Sequence, residues 1–224
     1  ADVAMYHAKE QGRNSFYFYS EEMNEAARER LSMEHFLRRD IESKSGFYLV
    51  YQPKVDMQSG QVVGMEALAR WRHTELGEIM QVRFIPIAEE TGLIVPLGKW
   101  ILETACRQLQ RWLAEGGDQY RMAVNLSGRQ LKHPDFLPMV ASVLHETGID
   151  PHLLELELTE SMLMETAEKT VLLLGQLKQL GVSLAIDDFG TGYSSLSYLK
   201  KFPIDTLKID RSFVRDLESD RDDA

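Results

Sequence analysis

The segment Ser183–Gly192, with the sequence SLAIDDFGTG, constrains the fold of this 224-residue chain more than any other. Its first four residues predict a short strand buried on both faces, which is typical of a parallel sheet covered by helices. Asp187 and Asp188 come at the end of this strand, where functional groups gather in such sheets. Two adjacent ionised aspartates repel each other, so we expect a cation near them. The simpler alternative is that Asp187 caps the next helix and Asp188 points to water.

Strand and helix patterns alternate along most of the chain. Residues 47–55 and 61–71 predict two strands, and the short turn at 57–60 between them implies an antiparallel hairpin. Further strands are predicted for residues 122–126, 153–158, 183–187 and 206–209. Helices are predicted for residues 83–92, with Pro86 near the start, and for residues 96–115, 135–146, 166–180 and 194–200. Alternation over this length predicts an α/β fold, and a barrel more than an open sheet.

The first 44 residues have a different pattern. Residues 1–11 predict a helix and residues 14–19 a short strand, but this pair has no core of its own. Residues 20–41 are rich in Glu, Arg and Ala and predict a helix that connects to the next domain. We therefore expect three parts: residues 1–19, a linker helix over 20–44 and a main domain over 45–224. Because the chain begins without methionine, we also expect it to be a piece of a longer protein, whose other regions could include sensor or membrane segments.

The composition narrows the classes of function. A formal net charge of −10 argues against a broad nucleic-acid-binding surface, which needs an excess of lysine and arginine on one face. The one cysteine, Cys106, has no partner for a disulfide or a zinc site. Its apolar helix predicts a buried thiol in a reducing compartment, most simply the cytoplasm. No apolar run approaches the length of a membrane span, and the first ten residues do not follow the plan of a signal peptide.

Polar residues without a packing purpose lie near the ends of five predicted strands. They are Glu66, Asn125, Glu157 with Glu160, Asp187 with Asp188, and Lys208 with Asp210. Alternation places Glu155 and Glu157 on one face of their strand, and an unpaired carboxylate in a barrel interior costs several kcal/mol. We therefore predict that these groups meet in one cluster. Carboxylates and an amide, without histidine or cysteine, suit hard divalent cations such as Mg²⁺ or Mn²⁺.

Several short motifs occur in order along the main domain. They are Tyr51-Gln52-Pro53, Glu66-Ala67-Leu68-Ala69-Arg70, Val124-Asn125-Leu126-Ser127, Glu157-Leu158-Thr159-Glu160, Asp187-Asp188-Phe189-Gly190-Thr191-Gly192 and Leu207-Lys208-Ile209-Asp210. Through this ordered set the chain resembles an EAL domain, the family of cyclic di-GMP phosphodiesterases, from about residue 30 onward. The resemblance implies a TIM-like (β/α) barrel whose first strand runs antiparallel, which agrees with the predicted hairpin.

The resemblance also implies a role for each matched polar residue. The metal ligands would be Glu66, Asn125, Glu157, Asp187 and, for a second metal ion, Asp188. Lys208 would hold the nucleophilic water, and Glu160 would orient the glycine loop that follows Asp188. The substrate contacts would be Gln52, Arg70 and Asp210. With two divalent ions, Mg²⁺ or Mn²⁺, such a site hydrolyses cyclic di-GMP to linear pGpG in bacterial second-messenger signalling.

The resemblance sets further expectations at both ends of the chain. Residues 4–14, AMYHAKEQGRN, are similar to the end of a GGDEF domain, whose phosphate-contacting lysine would be Lys9. Because the signature loop of that family is absent from this sequence, we expect no cyclase activity. EAL domains continue beyond the equivalent of Ala224 with an AEGVE-like motif and an eighth strand. We therefore expect about two of the eight strands to be missing, and this chain to hydrolyse cyclic di-GMP poorly or not at all although the parent protein would be active.

Two other classes of function stay open. EAL domains in tandem with GGDEF domains sometimes act as non-catalytic cyclic di-GMP sensors or interaction modules, but such sensors usually lose the metal residues that are all present here. A structural barrel with incidental acidic residues is the second alternative. The resemblance makes cyclic di-GMP the expected partner and allows a homodimer formed through the EAL domain. A nucleic-acid polymer is not an expected partner, because the chain is acidic.

Overall fold

The structure, a computed structural model, describes residues 21–116, 120–164, 167–190 and 200–215. The helix and strand predicted within residues 1–19, and all but the last residue of the helix predicted for 194–200, lie outside these ranges. The chain divides into two compact units. The first unit contains the described residues up to Phe47 together with residues 71–93, and the second contains residues 48–70 and the described residues from Ile94 onward.

The secondary structure of the described residues alternates strands and helices, as predicted. The strands are β1 (Phe47–Val55), β2 (Val62–His73), β3 (Gly77–Ile79), β4 (Arg121–Asn125), β5 (Leu154–Thr159), β6 (Ser183–Phe189) and β7 (Thr206–Ile209). The helices are α1 (Glu21–Ser43), α2 (Gln81–Thr91), α3 (Ile94–Ala114), α4 (Gly128–Leu131), α5 (Phe136–Thr147), α6 (Glu160–Met164), α7 (Ala167–Gln179) and α8 (Ser212–Arg215). A 3₁₀ turn over Pro151–Leu153 leads into β5.

The sheet of the second unit has the strand order β1-β2-β4-β5-β6-β7. Neighbouring strands from β2 to β7 run parallel. β1 and β2 are also neighbours, and only residues 56–61 connect them. Such a short connection joins antiparallel strands, because parallel neighbours need a crossover of about a dozen residues or more. The predicted α/β fold with an antiparallel first strand is therefore confirmed. In the described part of the chain β1 and β7 end the strand order and do not pair, so the sheet is not closed.

The core of the second unit depends on strict alternation along its central strand. In β5, the side chains of Leu154, Leu156 and Leu158 are fully buried, and Glu155 and Glu157 stand between them in the sequence. Successive strand residues face opposite sides of the sheet, so the leucines occupy one face and the glutamates the other. Helices α3, α6 and α7 pack on β4, β5 and β6. The glutamates therefore face the interior of the curved sheet.

The single thiol of the chain lies in this helical layer. Cys106 on α3 is fully buried, which confirms the prediction of a buried thiol. Burial raises the pKa of the Cys106 thiol to about 12, so it stays protonated and unreactive at physiological pH.

The first unit is organised around Trp71 at the end of β2. Its side chain is fully buried, and its indole N–H donates a hydrogen bond of 2.9 Å to Oδ2 of Asp40 on α1. The ring of Phe47 stacks on the Trp71 ring with centroids 5.6 Å apart. The ring of Phe84 on α2 contacts it edge-on at 5.8 Å. Trp71 therefore joins the two described helices of this unit, with its one polar side-chain atom satisfied.

The structure departs from the sequence patterns in a few short elements. The patterns do not predict β3, α4, α6 and α8, which have three to five residues each, too few for a periodicity to show. Pro86 lies in the middle of α2, not near its start as predicted, because the helix begins at Gln81. Of the helices within the described ranges, none is long and apolar enough to cross a membrane.

We expect the substitution Leu156→Ala to destabilise the protein by about 3 kcal/mol, because it leaves a cavity in the middle of the buried face of β5. The matched control is Leu172→Ala on α7, whose side chain is 72% exposed and whose loss costs about 0.5 kcal/mol or less. Urea denaturation followed by circular dichroism measures both changes. Equal losses of stability in the two variants would contradict this account of the core.

Candidate metal centre

The parallel register places the predicted site residues on one face of the sheet. Glu66 of β2 pairs with Ala123 of β4, two residues before Asn125. Asn125 pairs directly with Glu157 of β5, and Glu157 pairs with Ala185 of β6, two residues before Asp187. A spacing of two residues along a strand returns the side chain to the same face. These four side chains therefore project from neighbouring strands into the same interior region.

Three carboxylates converge in this region. Glu66, Glu157 and Asp187 each contribute an oxygen, and these oxygens lie within 4.8 Å of one another. The amide Nδ2 of Asn125 donates to Oε1 of Glu66 at 2.7 Å, so the fourth predicted ligand borders the same group. We call Glu66, Glu157 and Asp187 the carboxylate cluster.

The ammonium group of Lys208, on β7, lies in the middle of the carboxylate cluster. Its Nζ is 3.2 Å from Oε2 of Glu66, 2.6 Å from Oε2 of Glu157 and 3.0 Å from Oδ2 of Asp187. Burial alone lowers the pKa of Lys208, but the hydrogen bonds and negative charges of these carboxylates outweigh burial and raise it above its ordinary value. The cation that we expected beside Asp187 is therefore Lys208 in this structure.

Glu157 is the most deeply buried member of the cluster, with a side chain that is 0% exposed. Each of its two oxygens bonds to a different lysine: Oε1 lies 2.7 Å from Nζ of Lys54, and Oε2 lies 2.6 Å from Nζ of Lys208. Burial raises the pKa of the Glu157 carboxyl, and the two ammonium groups act in the opposite direction. Both lysines therefore help to keep this buried carboxylate ionised.

Lys54 is a site residue that the sequence analysis missed. It lies on β1, and its Nζ also contacts Oε1 of Glu155 at 2.6 Å. In the strand order, β2 and β4 separate β1 from β5, so these contacts cross the interior of the curved sheet. A signal was available in the sequence. Two glutamates on one interior face need cations opposite them, and Lys54 is the only charged residue of β1.

The adjacent aspartates at the end of β6 have different partners, and a bulge interrupts the alternation of side chains at this point. The register between β6 and β7 shifts between Ile186 and Phe189, and Asp188 has a left-handed φ of 52°, which aspartate adopts more easily than most residues. Asp187 faces Lys208, whereas the carboxyl of Asp188 lies near that of Asp210. Burial, followed by the negative charges of Asp187 and Asp210, raises the pKa of Asp188. Asp188 therefore lies with Asp210 and is not a member of the carboxylate cluster.

Glu160 contacts the loop that follows β6. Its side chain is buried at the start of α6, and its Oε2 accepts a hydrogen bond of 2.9 Å from the N–H of Gly190. Gly190 has a φ of 103°, and a Cβ atom there would lie 2.6 Å from the ring of Phe213, so this position requires glycine. Thr191 and Gly192, the rest of the predicted loop, lie outside the described residues.

The predicted substrate contacts on the first two strands share the interior face. Gln52 is two residues before Lys54 on β1, and Arg70 is four residues after Glu66 on β2, so alternation gives each pair one face. The guanidinium of Arg70 donates to the carbonyl oxygen of Ala69 at 2.9 Å. Both residues therefore lie on strands next to the metal-site side chains.

The donors of the carboxylate cluster fit a hard divalent cation. They are all carboxylate oxygens, with the Asn125 amide beside them, and they come from strands β2, β4, β5 and β6. Such cations bind oxygen at about 2.0–2.6 Å, a range that one ion placed among these oxygens can satisfy. The position of the Lys208 ammonium shows that a positive charge is stable at this point.

Comparisons with known proteins agree with this geometry. The EAL domain family matches residues 35–224 of the chain. The bifunctional diguanylate cyclase/cyclic di-GMP phosphodiesterase MucR of Pseudomonas aeruginosa is 47% identical over 224 residues, which cover 100% of this chain and 33% of MucR. The cyclic di-GMP phosphodiesterase PdeR of Escherichia coli is 44% identical over 217 residues, which cover 97% of this chain and 32% of PdeR.

A solved structure shows the same fold. The structure of the PaMucR phosphodiesterase in complex with c-di-GMP superimposes with a TM-score of 0.81 and 45% identity, and the match covers 86% of this chain and 77% of that one. The chain therefore belongs to the EAL domain family, as its motifs predict. EAL phosphodiesterases are metal-dependent, and the carboxylate cluster could hold a metal ion. The chain spans about a third of the length of the curated relatives that it matches.

We expect the substitution Lys208→Met to destabilise the metal-free protein by about 2–3 kcal/mol, because it leaves three crowded carboxylates without their shared cation. The control is Lys99→Met, since within the described residues Lys99, whose side chain is 54% exposed, pairs with Glu103 at 3.6 Å, a contact worth about 0.5 kcal/mol at most. Urea denaturation in the presence of EDTA measures both. A Lys208→Met variant as stable as the control would show that the ammonium does not hold the cluster together.

Proposed function

We propose that this chain is a cyclic di-GMP phosphodiesterase domain, which hydrolyses cyclic di-GMP to linear pGpG with two divalent cations, Mg²⁺ or Mn²⁺. The observation that carries the proposal is the carboxylate cluster in a chain of the EAL family. The names of the relatives MucR and PdeR include this phosphodiesterase activity, and the related PaMucR structure is a c-di-GMP complex. The same activity in this chain is our inference from those likenesses and from the site.

The metal ligands of the proposal follow from the cluster. The proposed ligands of one ion are the carboxylate cluster, Glu66, Glu157 and Asp187, and the amide of Asn125. The proposed ligand of the second ion is Asp188. The different neighbours of the two aspartates support this division, since Asp187 faces Lys208 and Asp188 lies near Asp210. When bound, the two cations would polarise the phosphodiester and acidify the attacking water.

Lys208 and Glu160 are the proposed catalytic and loop-orienting residues. The Lys208 ammonium reaches three carboxylates, so it lies close enough to any ion they hold to hydrogen-bond the attacking water and to offset developing negative charge on phosphate. Glu160 holds the backbone of Gly190 and thereby fixes the start of the loop that follows Asp188.

The proposed substrate contacts are Gln52, Arg70 and Asp210. The guanidinium of Arg70 is proposed to contact a phosphate of the substrate.

The proposal extends to the setting of the domain. We place it in bacterial second-messenger signalling in the cytoplasm, with a homodimer formed through the EAL domain. The proposal of a reducing compartment rests on the cysteine usage of the chain, whose one cysteine, Cys106, has no partner for a disulfide. We further propose that this chain turns over cyclic di-GMP slowly, because Lys208 lies on β7, which has one neighbouring strand in the described strand order. An edge strand has support from one neighbour only, so its side chains are less firmly positioned.

The alternative is a cyclic di-GMP sensor without catalysis. A sensor needs the substrate contacts but not the cluster, whereas this chain keeps every proposed ligand and holds three of them within 4.8 Å. Burying such a cluster costs free energy that binding of cyclic di-GMP alone does not require. The cluster therefore favours the enzyme.

We expect saturating Mn²⁺ to raise the melting temperature of the chelator-treated protein by several degrees, because an ion at about 100 times its Kd stabilises the folded state by about 2.7 kcal/mol. Asp187→Ala should abolish this shift, since it removes one member of the carboxylate cluster. Asp135→Ala, at the start of α5, is the control that should retain it, because its side chain makes no capping hydrogen bond there. A shift that survives in Asp187→Ala would place the metal elsewhere.

We expect the purified chain to convert cyclic di-GMP to pGpG with Mn²⁺ in long incubations, and Lys208→Met to slow the reaction by about 100-fold or more. Anion-exchange chromatography of the nucleotides measures both rates. Lys99→Met, on an exposed face of α3, should react like the wild type. Binding of cyclic di-GMP without any pGpG, in a protein that Mn²⁺ stabilises, would favour the sensor instead.

A further inference from the structure

We propose that Lys54 is a positioning residue for the metal centre, which fixes Glu157 so that only its Oε2 faces the ion. The proposal rests on the proposed metal-dependent function. It assigns Glu155 a supporting role, because this second buried carboxylate holds the Lys54 ammonium in place. Neither residue belongs to the set of ligands and substrate contacts described above.

The two oxygens of Glu157 have separate partners. Oε2 shares the Lys208 ammonium with Glu66 and Asp187, and it therefore lies on the side of the carboxylate cluster. Oε1 points away to the Lys54 ammonium at 2.7 Å. A carboxylate with one oxygen hydrogen-bonded in this way offers its other oxygen to a cation, and such a supporting hydrogen bond orients a metal ligand.

Lys54 is itself held on both sides. Its Nζ lies 2.6 Å from Oε1 of Glu155, whose side chain is only 5% exposed. The other oxygen of Glu155 accepts a hydrogen bond of 3.2 Å from the hydroxyl of Thr206 on β7. The contacts therefore run from Thr206 through Glu155 and Lys54 to Glu157, all on the interior face. Exposed lysine pairs lack this second anchor and contribute little to orientation.

Loss of Lys54 would free Glu157 to turn. With no donor at Oε1, both oxygens of Glu157 can turn toward Lys208 and the ion, and the buried carboxylate also loses one of its two cations. The geometry around the metal would then be less well defined. Removal of a supporting partner of a metal ligand typically lowers metal affinity by about 10- to 100-fold.

The test is a titration of the chelator-treated full chain with Mn²⁺, in which the electron paramagnetic resonance signal of free Mn²⁺ gives the Kd. We expect Lys54→Met to raise the Kd by about 10- to 100-fold. Lys99→Met, which removes an exposed lysine from α3, is the matched control and should leave the Kd unchanged.

A double variant separates positioning from folding stability. Lys54→Met leaves two buried carboxylates, Glu155 and Glu157, without the Lys54 ammonium, and adding Glu155→Met removes one of these two carboxylates. We expect the double variant to melt at a higher temperature than Lys54→Met and still to bind Mn²⁺ about 10- to 100-fold more weakly than the wild type. A wild-type Kd in Lys54→Met or in the double variant would overturn the proposal.

The same titration separates a failure of the proposed Lys54 role from a failure of the proposed metal-dependent function. If Asp187→Ala weakens Mn²⁺ binding and Lys54→Met does not, the metal centre stands and the positioning role is wrong. If the wild type and Asp187→Ala give the same Kd, the proposed metal-dependent function itself is wrong.

Discussion

The structure of the second unit depends on one buried carboxylate. Glu157 lies in the middle of β5 with no exposed side-chain area, and an isolated carboxylate there would cost several kcal/mol. Two lysines from opposite edges of the strand order, Lys54 on β1 and Lys208 on β7, contact its two oxygens. These contacts hold the curved sheet together across its interior. They also bring together an acidic cluster, Glu66, Glu157 and Asp187, that could hold a metal ion.

The parallel register makes this arrangement possible. Asn125 on β4 pairs with Glu157 on β5. Glu66 pairs with the residue two positions before Asn125, and Asp187 comes two positions after the partner of Glu157. Strands far apart in the sequence therefore bring their side chains to one place. On the opposite face of β5, fully buried leucines anchor the strand to the helices. Stability and chemistry are therefore divided between the two faces of the same strand, and a change of register by one residue would exchange them.

The functional conclusion follows from the combination of family and geometry. Relatives of this chain are named as cyclic di-GMP phosphodiesterases, while the distances show that three carboxylates of this chain meet. Neither would suffice alone, since acidic clusters are common on protein surfaces and a motif does not guarantee an assembled site. The bulge after Ile186 adds a detail that bears on the second ion, because it interrupts the alternation that would otherwise place Asp187 and Asp188 on opposite faces of the sheet.

The sequence by itself determined the α/β class, the hairpin of β1 and β2, and the family, because alternation, turn residues and ordered motifs are local signals. It also indicated that Glu66, Asn125, Glu157 and Asp187 belong together. It did not reveal Lys54 as a site residue, the pairing of Asp188 with Asp210, or short elements such as α4. Only the tertiary structure decided these points. A contact between β1 and β5 depends on how the whole sheet curves, and the direction of each aspartate depends on a bulge that forms only when β6 pairs with β7.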